Sequence, residues 1–346
     1  MSNSPTAAPP GPQTPAEFLL QMATGYMVSS ALQVVTKLEV ADQLAGGPRA
    51  VEEIAAAVGA DADALYRVMR ALASIGIFEP LPDRRFSLNQ HSELLRKDIP
   101  GPRPLILWMT DPFHFNVYAD TLHSVVTGKP AVEKTVGMGV FEYFPKNPEL
   151  WKVFNDAMTT MSAMVIPAAL ETYDFSDAGI VVDVAGGHGH VLMSILQKHP
   201  GLQGILFDLE QVVEGAKPRI EAAGLAGRLR TVGGDFFKGV PPGDTYVMKH
   251  IIHDWDDDRA IQLLGNIRTA MRDKARGRVV LLESVLAPPN VPELGKLIDL
   301  EMLLMAGGRE RTAEEFRALF DKAGFELTRI VPNKSPLSAV ESRVKS

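Results

Sequence analysis

The segment Ile180–His190 constrains the fold more than any other part of the sequence, because an apolar β-branched run enters a glycine cluster there. The run contains one acid, Asp183, and the cluster begins with Gly186 and Gly187. Apolar residues at helical spacing resume at Val191. This order predicts a buried parallel strand that turns sharply into a helix. Open α/β sheets bind their ligands at such turns.

The spacing of the glycines separates two classes of cofactor. A dinucleotide fingerprint has a third glycine three residues after the second, but here that position is Leu192. The next expected strand, Gly204–Asp208, ends in a carboxylate that can accept both ribose hydroxyls of an adenosine in either class. The pattern therefore favours an adenosine cofactor without a pyrophosphate, although an ordinary strand-to-helix turn also uses glycine.

The second half of the chain alternates strand and helix patterns, which predicts a doubly wound parallel α/β sheet. The expected strands are 180–184, 203–208, 229–233, 245–249 and 278–284. Thr312–Glu315 is a capping-box pattern that begins a further helix, and Gly324 ends it. Phe325–Val331 and Ser338–Val344 are expected to close the chain as antiparallel strands.

The first half of the chain has a different pattern. Residues 1–15 are rich in proline and predict a disordered tail. Glu17–Leu44 is an apolar helical stretch, which we expect at a dimer interface or under another domain. Helices at 51–58 and 64–75, followed by a hairpin of 77–79 with 85–88, predict a winged helix.

The charge balance bears on the partners of this winged helix. The 346-residue chain has a formal net charge of -7, and residues 49–75 hold more acids than bases. A DNA-binding protein needs a basic surface, so we expect no nucleic-acid partner. A winged-helix regulator that senses a small molecule is the rival hypothesis. The absence of cysteine excludes disulfides and thiolate metal sites. No apolar run is expected to span a bilayer, no membrane partner is expected, and the expected location is cytoplasmic.

Five motifs give the sequence a specific resemblance. They are Asp183–Gly187, Phe207–Leu209, Gly234–Asp235, Lys249–Trp255 and Gly307–Thr312. In this order they resemble the S-adenosylmethionine-dependent O-methyltransferases of the caffeic acid and plant phenolic type, with their bacterial natural-product relatives. The resemblance extends over residues 17–344. It implies an α/β fold, in which a doubly wound Rossmann-like methyltransferase sheet follows a mostly helical N-terminal winged-helix dimerisation domain.

The resemblance also implies a cofactor, an assembly and a division of the chain. The cofactor is S-adenosyl-L-methionine, and the chain forms a homodimer through its N-terminal domain. The expected segments are a tail at 1–15, a winged-helix dimerisation domain at 16–103, a helical linker with acceptor-pocket residues at 104–170, and a cofactor-binding catalytic domain at 171–346. The linker segment is rich in aromatic residues and methionine, which suit a planar ligand but also an ordinary helical core.

The same resemblance assigns roles residue by residue. His253 corresponds to the catalytic base, and Glu283 and Glu310 correspond to the acids that flank it. The cofactor contacts are expected at Asp183, Gly186, Gly187, Asp208, Leu209, Asp235, Phe236 and Lys249. A small aromatic acceptor is expected against Trp108, Phe154, Met158, Asp254 and Met302. Ala185 replaces the first glycine of the family's turn, and for Asp235 and Phe236 a capped turn with a core phenylalanine remains the alternative.

General-base chemistry agrees with these roles. A phenol of pKa near 10 is ionised to only about one part in a thousand at pH 7. A positioned base can therefore contribute about 10²- to 10⁴-fold to the rate. Glutamates beside an imidazole would hold its tautomer and stabilise the imidazolium that forms. The sequence does not identify the phenol, and some relatives perform other chemistry on aromatic polyketides, but retention of His253, Glu283 and Glu310 favours plain methylation.

A metal site is the remaining alternative in this region. His250, His253, Asp254 and Asp256–Asp258 form a dense cluster of ligand-type side chains. A strand that ends near Lys249 and a helix that begins near Asp258 would leave these residues on no common face. We therefore expect no metal and interpret the aspartates as caps of the following helix.

Overall fold

The computed structural model describes residues 13–345. Residues 1–12 of the predicted tail lie outside the described residues, whereas Pro15 is already the first residue of a helix. The side chain of Thr14 accepts a hydrogen bond from Glu17 N at 3.3 Å, and Thr14 N donates to the Glu17 carboxylate at 2.8 Å. This reciprocal cap, with proline at the first helical position, ends the predicted tail earlier than Pro15.

The chain forms two compact units, of which the first ends at His114 and the second begins at Phe115. The elements of the first unit are α1 (Pro15–Ala23), α2 (Gly25–Lys37), α3 (Val40–Gln43), β1 (Arg49–Ala50), α4 (Val51–Val58), α5 (Ala62–Ala73), β2 (Glu79–Leu81), β3 (Arg85–Ser87) and α6 (Arg103–Met109). Helix α7 (Pro112–Ala119) spans the division. The predicted linker 104–170 is thus divided between the two units and does not form a segment of its own.

The apolar stretch that was predicted as one helix over 17–44 forms three helices. Helix α1 ends at Ala23, and Glu39 adopts a left-handed backbone with φ 60° between α2 and α3. A non-glycine residue rarely adopts this conformation inside a helix, so the helical run stops there. No residue of α1 is buried, whereas Val35 and Thr36 of α2 are.

The helix–helix–hairpin order of a winged helix follows. Asp61 caps α5 by accepting a hydrogen bond from Ala64 N at 2.8 Å, which places the helix start two residues before the predicted one. The small sheet has the order β1-β3-β2. Leu65, Met69 and Leu72 of α5 form the core of this unit with residues that include Ile54 and Phe86.

The second unit begins with short helices and continues as an alternation of strands and helices. Its elements are α8 (Thr121–Thr127), α9 (Ala131–Val136), α10 (Val140–Tyr143), α11 (Pro148–Thr172), β4 (Ile180–Val184), α12 (His190–Lys198), β5 (Gln203–Asp208), α13 (Glu210–Ala222), β6 (Leu229–Gly233), β7 (Thr245–Lys249), α14 (Asp257–Ala270), β8 (Arg278–Glu283), β9 (Val285–Leu286), α15 (Gly295–Glu301), β10 (Arg311–Thr312), α16 (Ala313–Lys322), β11 (Phe325–Pro332) and β12 (Ser338–Val344). A π-helical turn, Met302–Ala306, follows α15. The predicted strands agree with these bounds to within one residue.

A seven-stranded sheet organises this unit, with the order β11-β12-β8-β7-β4-β5-β6. Strand β12 pairs antiparallel with β11 and β8, and the other pairs are parallel. The direction of winding reverses at β4, whose neighbours are β5 and β7. Ligands of doubly wound sheets bind beyond the carboxyl ends of the strands at such a reversal. The fold therefore places a binding crevice after Val184 and Lys249.

Apolar side chains of β4 alternate between the two faces of the sheet, because successive side chains of a strand point to opposite sides. Val181 packs in the core that contains α12 and the end of α11. Val182 and Val184 pack in the opposite core with α14 and α16. The sheet is therefore covered on both faces, as the apolar strand patterns predicted.

Helix α11 has the length and apolar composition that a membrane-spanning helix needs, and the bent pair of α1 and α2 meets the same criterion. Core helices of soluble proteins also meet the criterion. In this structure Val165, Ile166, Ala169 and Leu170 of α11 belong to one core of the sheet.

Candidate active site

The turn after β4 brings the chain very close to its neighbours. A Cβ on Gly186 would lie 2.5 Å from the Asp183 carboxyl carbon and 2.6 Å from Leu206 Cδ1, so only glycine fits there. Ala185 and Gly187 have left-handed backbones with φ of 55° and 58°. The replacement of glycine by Ala185 therefore does more than add a methyl group. It also places a residue with a Cβ in a backbone conformation that glycine adopts more easily.

Asp208, at the end of β5, is held by backbone donors. Its Oδ2 accepts from Gly187 N at 2.8 Å, and its Oδ1 accepts from Leu209 N at 2.7 Å. Burial raises the pKa of this carboxyl group, and the two backbone hydrogen bonds oppose that rise. The side chain of Leu209 is 47% exposed beside it. A carboxylate fixed at the glycine turn suits the ribose hydroxyls of an adenosine.

Two charged groups of opposite sign lie at the carboxyl ends of the central strands. Asp183 accepts from Leu192 N at 3.3 Å, and burial raises its pKa to about 7. Burial lowers the pKa of Lys249, whereas the nearby carboxyls of Glu283, Asp183 and Asp254 raise it. Lys249 is thus a half-buried amine with acids around it, at the carboxyl end of β7.

Asp235 and Phe236 follow β6 in a compact turn. Asp235 Oδ1 accepts from Phe237 N at 2.9 Å, and the ring of Phe236 lies 4.6 Å from that of Phe237 and 5.9 Å from that of Trp255. Asn266 donates to Phe236 O at 2.8 Å. This is the capped turn with a packed phenylalanine that the sequence left as an alternative, and a cofactor role for either residue stays a prediction.

His253 lies on a 3₁₀ turn, Ile252–Asp254, directly after β7. Its Nδ1 is 2.7 Å from Glu310 Oε1 and 3.8 Å from Glu283 Oε2. Its Nε2 is 3.5 Å from Asp254 Oδ1. The residue is 7% exposed, and Glu283 and Glu310 are 0% and 3% exposed. The structure therefore brings the predicted base and its two predicted acids together in one buried cluster.

The carboxyl groups of the cluster differ in what they hold. Glu283 Oε1 accepts from Ile251 N and Ile252 N, both at 3.0 Å, and so fixes the loop that carries His253. Burial raises the pKa of Glu283, and it raises the pKa of Asp254 to about 7. Burial, reinforced by Asp299, raises the pKa of Glu310 to about 8. The pKa values of Asp254 and Glu310 are thus both raised to near neutrality, as is common for carboxyl groups of active sites.

The Gly-Gly-Arg-Glu-Arg-Thr motif holds the base loop from outside. Arg309 N donates to His253 O at 2.8 Å. Arg311 is only 1% exposed, and its guanidinium donates to Ile252 O at 3.1 Å and to Trp255 O at 3.0 Å. The motif therefore supplies both the acid that contacts the imidazole and the cation that fixes the surrounding backbone.

Three residues that shape this cluster were not assigned roles from the sequence. Arg311 belongs to a recognised motif, but the sequence does not show that its side chain is buried. Asp299 accepts from Glu310 N at 2.8 Å, but nothing in the pattern of α15 distinguishes it. His250 stacks on the base with ring centroids 4.7 Å apart and an interplanar angle of 6°. The sequence had grouped His250 only with possible metal ligands.

His250, His253 and Glu283 have ligand-type atoms that all lie within 4.8 Å of one another. The other members of the predicted cluster do not join them, because Asp256 caps α14 by accepting from Arg259 N at 2.8 Å. That cap agrees with the interpretation of the aspartates as helix caps.

The predicted acceptor residues are distributed over both units. In the second unit, Phe154 of α11 stacks on Phe144 with centroids 4.7 Å apart, Met158 is half-buried one turn later, and Met302 is 8% exposed. Trp108 belongs to the first unit, where its ring meets that of His114 edge-on at 4.3 Å. Their contact with an acceptor stays a prediction.

Comparisons with known proteins identify the family. The sequence matches the O-methyltransferase domain over residues 118–326 and the O-methyltransferase dimerisation domain over residues 20–98. Phenazine O-methyltransferase PhzM of Lysobacter antibioticus is 43% identical over 330 residues, which are 95% of this chain and 96% of that protein. The crystal structure of LaPhzM is similar with a TM-score of 0.90 and 42% identity, covering 96% of this chain and 100% of the other.

A further solved structure carries both ligands. The O-methyltransferase NcsB1 from neocarzinostatin biosynthesis, in complex with S-adenosylmethionine and 2-hydroxy-5-methyl naphthoic acid, has a TM-score of 0.83 and 31% identity, covering 97% of this chain and 100% of that one. All three comparisons are with methyltransferases, which favours an enzyme over the regulator that the sequence left as a rival. The dimerisation-domain match supports the predicted homodimer. The chain therefore belongs to the O-methyltransferase family and is an S-adenosylmethionine-dependent enzyme of it, as the sequence resemblance implied.

Proposed function

We propose that this enzyme methylates a phenolic hydroxyl group of a small aromatic acceptor, with His253 as the general base and without a metal ion. The observation that carries the proposal is the 2.7 Å contact between His253 Nδ1 and Glu310 Oε1. When the proton of this contact lies on Nδ1, Glu310 accepts the hydrogen bond from Nδ1–H and the free lone pair of the imidazole is on Nε2. The base is then oriented by a carboxylate, as in other buried acid–imidazole pairs.

The proton and the methyl group move in opposite directions in this scheme. The acceptor hydroxyl gives its proton to His253 Nε2, and its oxygen forms a bond to the methyl carbon as the carbon–sulfur bond breaks. S-adenosylhomocysteine and the methyl ether are the products. Glu310 at 2.7 Å and Glu283 at 3.8 Å stabilise the imidazolium that forms. Positioning of the two reactants is worth up to about 7–11 kcal/mol of the barrier.

The residues that would hold the cofactor fit an adenosine that lacks a pyrophosphate. Asp208 offers a fixed carboxylate to the ribose, and its partner Gly187 has open space beside it, since an added Cβ there would meet no atom within 4 Å. The cofactor supplies an activated methyl group on a sulfonium. Asp183, Leu209, Asp235, Phe236 and Lys249 complete the proposed contacts, and their part is to bind and orient.

The stacked geometry of the two histidines argues against a metal-dependent mechanism. An ion must lie close to the plane of each imidazole that it binds, since the nitrogen lone pair lies in the ring plane. The rings of His250 and His253 are stacked and within 6° of parallel. One ion cannot lie in both planes without rotation of a ring, and Nδ1 of His253 already contacts Glu310.

For the acceptor we propose a planar hydroxylated aromatic ring system. PhzM is named as a phenazine methyltransferase, and the NcsB1 structure holds a naphthoic acid, so fused rings are the first compounds to assay. In the second unit, Phe154, Met158 and Met302 are flat or adaptable apolar side chains that suit such a ligand. Asp254 would lie beside the hydroxyl group. A cytoplasmic location and the absence of nucleic-acid and membrane partners stay predictions.

The test is transfer of a labelled methyl group to a panel of phenols. His253→Ala should lower kcat by about 10²- to 10⁴-fold while calorimetry shows nearly unchanged affinity for S-adenosylmethionine. His91→Ala, at an exposed histidine of the first unit, is the control and should keep the parent rate. Full turnover by the His253 variant would remove the proposed base. Loss of activity in EDTA that an added divalent ion restores would overturn the metal-free scheme.

A further inference from the structure

His250 has a strained backbone at the point where β7 leaves the sheet. Its φ is 53°, and its N–H donates to Leu282 O at 3.2 Å, on the neighbouring strand. The left-handed conformation is unfavourable for a residue with a Cβ, and glycine would adopt it more easily. Such strain persists where surrounding contacts compensate for it. We therefore expect the side chain of His250 to make the contact that compensates for the backbone strain.

The imidazole of His250 makes one clear contact of this kind, on the face of the base. Its ring is nearly parallel to that of His253, with centroids 4.7 Å apart. Its buried Nδ1 has no hydrogen-bond partner among residues 13–345. Burial, with the positive charge of Lys249, lowers the pKa of His250 well below its ordinary value. The ring is therefore uncharged where the enzyme works, and its π face is what it presents to His253.

The base is then contacted on its edges and on one face. Glu310 Oε1 lies 2.7 Å from Nδ1 and Asp254 Oδ1 lies 3.5 Å from Nε2, whereas His250 covers a face of the ring. An imidazole that is held by one edge can still rotate about that hydrogen bond, whereas a stacked ring opposes the rotation. A neutral π face also stabilises the positive charge that His253 gains when it takes the acceptor's proton.

We propose that His250 is a positioning residue for the general base: its stacked ring fixes the plane of the His253 imidazole so that Nε2 stays directed at the acceptor hydroxyl. This inference rests on the proposed role of His253. Because the inference concerns the orientation of the base and not cofactor binding, we expect loss of the His250 ring to lower kcat. A misplacement of the reacting atoms by about 1 Å can lower a rate by about 10²-fold, which sets the scale to be expected.

Two substitutions separate the stacked ring from the strained backbone. His250→Asn removes the ring but tolerates the left-handed conformation. It should lower kcat by about tenfold, while the acceptor KM, the cofactor affinity and the melting temperature change little. His250→Phe keeps a flat ring with no ring nitrogen. It should stay within about threefold of the parent kcat, because stacking and not hydrogen bonding is the proposed contribution.

A double-mutant cycle with His253→Ala shows whether His250 acts through the base. Coupled residues have non-additive effects, so His250→Asn should change the residual rate of the His253→Ala enzyme by less than about twofold. An unchanged kcat in His250→Asn would overturn the proposal, as would a loss that His250→Phe reproduces in a folded protein. Additive losses in the cycle would also overturn it while leaving His253 as the base. Full activity of His253→Ala would instead remove the proposed function and this role together. If His250→Phe does not fold, the asparagine variant and the cycle still decide.

Discussion

The fold keeps away from water the two carboxyl groups, of Glu283 and Glu310, that are proposed to flank the base. Glu310 is 3% exposed, and burial, with Asp299, raises its pKa to about 8. Glu310 Oε1 lies 2.7 Å from His253 Nδ1, so a proton in this contact can reside on either atom. If one more proton is added, the contact holds either a carboxylate beside an imidazolium or a carboxylic acid beside a neutral imidazole. Nε2 carries a proton in both states. The pair is then no longer a base, and turnover should fall as the pH is lowered.

Glu310→Gln separates the catalytic role of this carboxylate from its effect on stability. A neutral amide can no longer hold the Nδ1–H tautomer, so kcat should fall by about 10²- to 10⁴-fold. Because burial raises the carboxyl pKa in the folded state, the stability that Glu310 contributes is complete below pH 4.5 and is lost as the pH rises to about 8. The glutamine variant lacks this loss.

Urea unfolding at pH 5 and pH 8.5 measures the effect. The stability of the glutamine variant relative to the parent should increase between these values, although the variant is the poorer enzyme. The same difference at both values would show that Glu310 is ionised in the folded protein throughout. A variant with the parent kcat would show that the 2.7 Å contact does not orient the base.

The residues of the site divide into those that the sequence could predict and those that it could not. His253 and Glu310 lie in two of the five motifs, and the family resemblance assigns Glu283 its role, so the sequence predicts all three. His250 and Asp299 contact the same cluster, but their roles depend on a left-handed turn and on the approach of α15. Such contacts are tertiary and leave no period or spacing in the chain.

At the scale of elements, the loop after β7 and the Gly-Gly-Arg-Glu-Arg-Thr motif act as one assembly. A Cβ on Gly308 would lie 1.9 Å from His253 O and 2.6 Å from Trp255 N. Backbone atoms cannot move aside as the end of a side chain can. The glycine is therefore required for the motif to approach closely enough for Arg309 N to bond His253 O at 2.8 Å.

Gly308→Ala should therefore displace the base loop. We expect a cost of about 1–3 kcal/mol in unfolding free energy, as for other overpacked sites, and a fall in kcat of at least tenfold, of the order that small misplacements cause. Gly265→Ala is the matched control: it lies in α14 with nothing within 4 Å of the added Cβ. The control should be neutral or more stable by about 0.5–1 kcal/mol. Equal behaviour of both variants in melting and turnover would refute the assembly.

The strands were predicted more accurately than the N-terminal helices, and the reason is physical. A strand buried on both faces needs an unbroken apolar run with a turn at each end, and β4, β5 and β7 show this pattern directly. The stretch 17–44 is apolar throughout, so its helical period continues across the breaks at Thr24 and Glu39. No glycine or proline next to Glu39 marks its left-handed turn in the sequence.

At the scale of the whole molecule, the N-terminal helices expose an apolar surface that the dimerisation-domain match explains. Leu20 is 65% exposed and Met27 is 54% exposed, and α1 buries no residue. Monomeric proteins seldom expose a contiguous apolar surface of this kind. The match to the dimerisation domain begins at residue 20, so both side chains fall inside it. A second copy of the chain is the partner that accounts for them.

Leu20→Glu combined with Met27→Glu should convert the homodimer into a monomer. Burial of one such side chain is worth about 1.5–3 kcal/mol, and each substitution occurs twice in a symmetric dimer. The dissociation constant should therefore rise by at least about 10²-fold in analytical ultracentrifugation. Gln21→Glu adds a charge to an exposed polar position of α1 and should leave the dimer intact. A double variant that sediments as the parent dimer would mean that these side chains face solvent in the assembly. A parent that sediments as a monomer at assay concentration would contradict the homodimer itself.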